Sequence, residues 1–264
     1  MNAEYHPVSP LRVFGALLLR DAHVTRRELP FFLIRTLMQP LMFIIVFGLL
    51  LPKMGFLDAR YKATLLPGIL GVSLTLSAIQ SVALPMVQDF GWTNEIEDRL
   101  LAPIPIPLIA IEKIVVGSLQ GLIAGLVVLP VSRLIMGPIP GFTLAYAGET
   151  VLMALLGSAT FSAIGLFMGT AIRPQQIGFM FSLIIAPMLM FGCAYYPWRG
   201  LDVFPVMKYA VLINPLVYVA EGLRGVLTPS VPHMNLLVVI AVLTGMLVVI
   251  GWLGMRSFVK RAIK

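Results

Sequence analysis

LLVVIAVLTGMLVVIGWLGM, residues 236–255, runs for 20 residues without one charged side chain. About 20 consecutive apolar residues is the length at which an α-helix crosses a ~30 Å hydrocarbon core, whereas helices in soluble cores are usually shorter and keep a polar face. Five further, predominantly apolar runs occupy residues 31–51, 64–87, 108–136, 144–172 and 177–194, and the polar bridges between them never grow into a soluble domain. The chain therefore reads as an all-α polytopic membrane protein with six transmembrane helices. A cytoplasmic N-terminus occupies residues 1–30, the transmembrane domain residues 31–255, and a basic cytoplasmic tail residues 256–264.

Composition agrees. Of 264 residues, 59% are hydrophobic and 12% charged, against roughly a quarter charged in soluble domains. The net charge of +7 is not gathered into a basic stripe with interleaved aromatics, so nucleic acid is excluded as a partner. The cations instead flank the apolar runs, as anionic membrane lipids and the positive-inside rule require. With six spans and both termini on one side, twelve of the Lys and Arg residues fall on that side and seven on the other, which predicts cytoplasmic termini. Residues 1–27 lack the short apolar core and small-residue cleavage site of a signal peptide, so the first span is expected to act as its own insertion signal. Cys193 is the single cysteine, which excludes an intrachain disulfide and a cysteine-based zinc site.

Ahead of the first span, Leu11, Phe14, Leu18, Ala22, Thr25 and Leu29 share one helical stripe, while Arg12, Arg20, His23 and Arg27 lie towards the other side. That pattern predicts an amphipathic interface helix, with an ordinary solvated juxtamembrane segment as the alternative. Within the second span, Ser73, Thr75, Ser77, Gln80 and Ser81 either bond neighbouring helices or line a path. Gly117, Gly121 and Gly125 in the third span, and Gly165 and Gly169 in the fourth, permit close helix approach, either inside one subunit or at a dimer seam.

The longest polar bridge, GWTNEIEDRLLAP (residues 91–103), carries a capping box: Asn94 caps the turn and Glu97 reaches back three residues later. Glu95, Glu97 and Asp98 suit the positive end of the helix dipole, and Pro103, Pro105 and Pro107 stop the helix. Residues 92–103 thus predict a short bracketed helix on the cytoplasmic side, with Trp92, Asn94, Ile96, Glu97, Arg99 and Leu100 as its docking residues. A plain connecting loop is the other reading.

Between the fifth and sixth runs, residues 206–226 are too apolar for a free loop and too interrupted for a full span. They predict a re-entrant segment, tolerable in a membrane only where protein covers its free backbone groups. Glu221 and Arg224, three apart on a helix, are placed as a local ion pair supporting this segment.

Enzymatic motifs are missing: no GxxxxGK phosphate loop, no HExxH, no GxSxG, and three isolated histidines. No catalytic residue and no metal ligand is therefore assigned. A self-sufficient ion-coupled transporter would need ionisable groups near the bilayer midplane, and only Glu221 and Arg224 read as submerged. A non-transporting scaffold is the remaining alternative.

Asn214, Pro215 and Leu216, followed by Glu221, Leu223 and Arg224, resemble the carboxy-terminal motif of the ABC-2 type permeases, the membrane subunits of a class of ABC exporters. Glu97, Arg99, Leu100, Leu101 and Pro103, leading into Glu112 and Lys113, are similar to that family's coupling loop, although the Gly-Thr pair common there is missing. The resemblance covers essentially the whole chain. It implies two permease subunits, as a homodimer or heterodimer, with two cytoplasmic ATPase subunits that bind ATP and magnesium; this chain itself carries no cofactor. It further implies ATPase coupling through residues 92–103 with help from the interface helix (Leu11, Phe14, Leu18, Arg20, Arg27), export of a drug, lipid or glycan, and a bacterial cytoplasmic (inner) membrane.

Overall fold

The computed structural model describes residues 9–58, 60–90 and 104–263, apart from the side chains of residues 10, 11, 35, 174, 177 and 181. Every regular element among them is helical. Helix α1 runs over Pro10–Phe43 and continues through a wider π-helical stretch, Ile44–Leu50, to Leu51–Lys53. Then come α2 (Tyr61–Gln88), α3 (Ile106–Met136) and α4 (Ala147–Ala171). A short helix α5 covers residues 177–190, with its middle, Met180–Ile185, π-helical. Helices α6 (Pro205–Ala210), α7 (Pro215–Leu227) and α8 (Leu236–Ala262) complete the chain.

Five of these, α1, α2, α3, α4 and α8, are long and apolar enough to cross a membrane. The bent pair Pro205–Ile213 and Pro215–Leu227, whose axes meet at 99°, makes a sixth only if counted as one span. Three elements differ in extent from the runs read in the sequence. First, the stretch expected as an interface helix and the first apolar run form one continuous helix, with Pro30 and Pro40 both inside it. At 1.5 Å per residue the 42 residues of Arg12–Lys53 extend about 63 Å, roughly twice the hydrocarbon thickness. Second, the run 177–194 forms a helix only to residue 190, about 21 Å long, because the chain turns at Cys193, whose φ is +52°. Third, residues 256–262 of the basic tail continue α8 as its last turns.

α2 is the hub. In its most apolar stretch 78% of residues are buried, against 18% for α1 and 17% for α8. Two glycine rows explain how three helices crowd around it. A Cβ at Gly121 would lie 2.9 Å from Ala78 Cβ of α2 and 2.9 Å from Ser158 Oγ of α4, and one at Gly165 would lie 2.8 Å from the Ile79 carbonyl. The small-residue pattern therefore serves packing within this chain. Ser73 and Ser77 of α2 add interhelical hydrogen bonds to the Ala124 and Gln120 carbonyls of α3.

Candidate functional site

Polar chemistry concentrates at the two ends of this bundle. At the end where α2 begins and α3 finishes, Asn214 stands at the break between α6 and α7. Its Oδ1 accepts from the Leu216 amide at 3.0 Å, capping α7, while its Nδ2 donates to the Met188 carbonyl of α5 at 2.6 Å. Pro215 follows at the first helical position, where its missing N–H costs nothing. Every residue from Pro215 to Leu227 is buried, so α7 needs its charged groups satisfied internally.

Glu221 and Arg224 do this, both fully buried. Glu221 Oε1 accepts from Arg224 Nη1 and from the Trp198 amide at 2.8 Å; Oε2 accepts from the Met234 amide at 2.9 Å. Arg224 Nη2 donates to the Cys193 carbonyl at 3.0 Å and the Thr64 carbonyl at 3.4 Å. One ion pair thus ties α7 to the start of α2, to the chain following α5, and to the approach to α8. The carboxylate holds two backbone amides and a guanidinium, which leaves it no free face for a ligand. This is the geometry of a structural clamp.

The opposite end holds a 550 Å³ cavity between α1, α2 and α3, lined by Asp21, Thr25, Gln80, Gln88, Lys113 and Gln120 among others. Lys113 Nζ donates to Asp21 Oδ2 at 2.6 Å and sits 3.3 Å from Glu112 Oε2. Gln120 Nε2 donates to Thr25 Oγ1 at 2.8 Å, and Thr25 Oγ1 in turn donates to the Asp21 carbonyl. Two rungs one turn apart on α1 therefore bolt it to α3. Glu112 and Lys113 are 0% and 5% exposed, so this end of the bundle also buries charged groups, in the second turn of α3.

Beside this cavity, Arg261 of α8 donates to the Thr170 and Ile172 carbonyls at 2.8 and 3.2 Å, capping the exposed carbonyls of α4, and its guanidinium lies 4.8 Å from the Phe90 ring centre. Phe258 packs edge-on against the same ring.

Of the residues singled out in the sequence, Asn214, Pro215, Glu221 and Arg224 come together as one network. Phe14 and Leu18 are half-buried on α1, and Arg20 and Arg27 are exposed; the Leu11 side chain is outside the described residues. Trp92, Asn94, Ile96, Glu97, Arg99 and Leu100 lie outside them too. Sequence reasoning missed Asp21, Thr25 and Gln120. The spacing of Asp21 and Thr25, four apart, was the available signal that one polar face of α1 meets a partner helix.

The sequence has relatives among known proteins. Residues 12–228 match the model of the family described as ABC-2 type transporter. The inner membrane transport permease YadH of Escherichia coli K12 is 26% identical over 207 residues, covering 72% of this chain and 75% of that protein. The YadH proteins of Escherichia coli O157:H7 and Shigella flexneri match equally. No solved structure matches. These helices define an integral membrane protein of the transport permease class. The chain belongs to the ABC-2 type transporter family.

Proposed function

We propose that the chain is the membrane subunit of an ABC exporter, moving a drug, lipid or glycan-type substrate with energy from a separate ATPase. The observation that carries this is a family match spanning residues 12–228 in a sequence that contains no phosphate-binding loop. Two such subunits, alike or different, pair with two ATPase chains, which bind ATP and magnesium. Residues 92–103 receive the ATPase movement, and the Asp21–Lys113 and Thr25–Gln120 rungs pass it between α1 and α3. The bent α6–α7 pair is a re-entrant segment on the outer side, held by Glu221 and Arg224. Both termini face the cytoplasm, as the cation excess requires, and the relatives' name supports a bacterial inner membrane.

The test is mild-detergent purification of the tagged chain from its native membrane, with mass spectrometry and an ATPase assay on the eluate. An ATPase chain with a phosphate-binding loop is expected in about equal amount. Recovery of the chain alone, without ATPase activity, overturns the reading.

The cluster of half-buried Asp21 with buried Glu112 and Lys113 favours one second reading, ion-coupled transport, because such groups bind protons or cations inside membranes. Reconstituted vesicles discriminate: flux driven by an imposed proton gradient without ATP supports it, and flux requiring ATP and the partner chain refutes it.

A further inference from the structure

Where α8 ends beside the start of α3, Pro107, Trp252, Met255, Arg256, Val259 and Lys260 enclose a groove of 410 Å³. Trp252, Arg256 and Lys260 follow one another at intervals of four, so ring and cations form one stripe down α8. The Arg256 guanidinium lies 5.4 Å from the centre of the Trp252 ring, which is 54% exposed.

Among the described residues the charge around this groove is one-sided. α8 contains no Asp or Glu along its 27 residues. Arg261, the third cation of its last turns, is spent on the carbonyls of α4. Among the described residues neither Arg256 nor Lys260 makes an ion pair. α3 opens here with no side-chain cap, which adds the positive end of a 31-residue helix to the same corner. Two cations, a helix start and an exposed indole therefore look onto a groove whose other walls are Pro107, Met255 and Val259.

We propose that this groove binds an anionic phospholipid. Its phosphate lies between Arg256 and Lys260 near the first turn of α3, its glycerol ester region lies against Met255 and Trp252, and an acyl chain continues past Trp252 along the exposed Val248 and Val249. From Trp252 to Lys260 is about 12 Å along the helix, enough to reach from the hydrocarbon boundary into the headgroup layer. Tryptophan favours that boundary, and basic pockets between helices favour anionic headgroups. A free phosphate would find the cations but waste the apolar walls; a zwitterionic lipid would fill the walls but bring no net charge. Only the membrane-spanning fold is needed for such a site, so it stands or falls independently of any ATPase partner.

Native mass spectrometry of the purified full chain, or of the complex it purifies in, tests this with phosphatidylglycerol and phosphatidylcholine of matched acyl chains. Preferential retention of phosphatidylglycerol is expected. It should weaken about fivefold in Lys260→Gln and about thirtyfold in the double variant Arg256→Gln/Lys260→Gln, and survive in Arg256→Lys/Lys260→Arg. If the double variant is not monodisperse, Lys260→Gln carries the test, since that side chain is exposed. Equal retention of both lipids, or unchanged retention in Lys260→Gln, overturns the proposal. Displacement of phosphatidylglycerol by millimolar inorganic phosphate overturns it too, because the site would then recognise a free anion.

Discussion

Arg224 and Glu221 lie one turn apart on α7, guanidinium against carboxylate, with neither side chain exposed. Two buried charges repay their desolvation only with further hydrogen bonds, and here backbone groups from three other segments bond both carboxylate oxygens and the Nη2 of the guanidinium, leaving Arg224 Nε as the one donor without a partner. The pair is the point at which the break at Asn214 is fixed in place.

Removing one partner strands the other in a low-dielectric site, at a cost of about 3–5 kcal/mol. Arg224→Ala and Glu221→Gln are both expected to lower the unfolding temperature in detergent sharply, because a carboxamide can accept from only one of the Trp198 and Met234 amides and turns its NH2 group on the other. The double variant Glu221→Gln/Arg224→Met should regain part of the loss. Single variants that unfold like the wild type but change which compound is transported would refute the clamp.

The Asp21–Lys113 contact at 2.6 Å predicts energetic coupling between α1 and α3. In a double-mutant cycle with Asp21→Asn and Lys113→Met, the coupling should be about 1–3 kcal/mol. Chemical denaturation in detergent supplies the four free energies, and additive single effects would mean that this ion pair does not couple the two helices.

These two networks show what the sequence made legible. Glu221 and Arg224 were readable as a pair because both partners lie on one short helix at a spacing of three. Lys113 and Asp21 are 92 residues apart, and nothing in either neighbourhood announces the other. Span length was equally legible where charge is absent, as in residues 236–255, and misleading where apolar residues continue past a turn. Phe191 to Ala194 look like helix by hydropathy, but Gly192 is packed against the Leu216 side chain of α7 and the Ala194 carbonyl against Gly68 of α2.

Gly68 supplies a steric test of that turn. A Cβ there would lie 1.7 Å from the Ala194 carbonyl oxygen, a backbone atom that cannot step aside cheaply. Gly68→Ala should destabilise by about 1–3 kcal/mol through overpacking. Gly245→Ala in α8, which meets nothing within 4 Å, should leave the unfolding temperature unchanged or slightly raised. Equal behaviour of the two variants would show that the 191–196 turn is not packed against α2.

Arg261 offers the last test, because it joins three things at once: the end of α8, the open carbonyls of α4, and the Phe90 ring at the threshold of residues 91–103. A guanidinium serves all three with one planar group, whereas lysine has no plane to lay on a ring. Arg261→Ala leaves the Thr170 and Ile172 carbonyls without this donor, and a cost of about 1–3 kcal/mol is expected. Arg261→Lys should recover the hydrogen bonds but not the stacking. If residues 92–103 carry the ATPase movement, the two variants separate stability from coupling: Arg261→Lys should restore most of the unfolding temperature yet leave substrate-stimulated ATP hydrolysis of the assembled complex below wild type. Full recovery of both by lysine would reduce Arg261 to a helix cap.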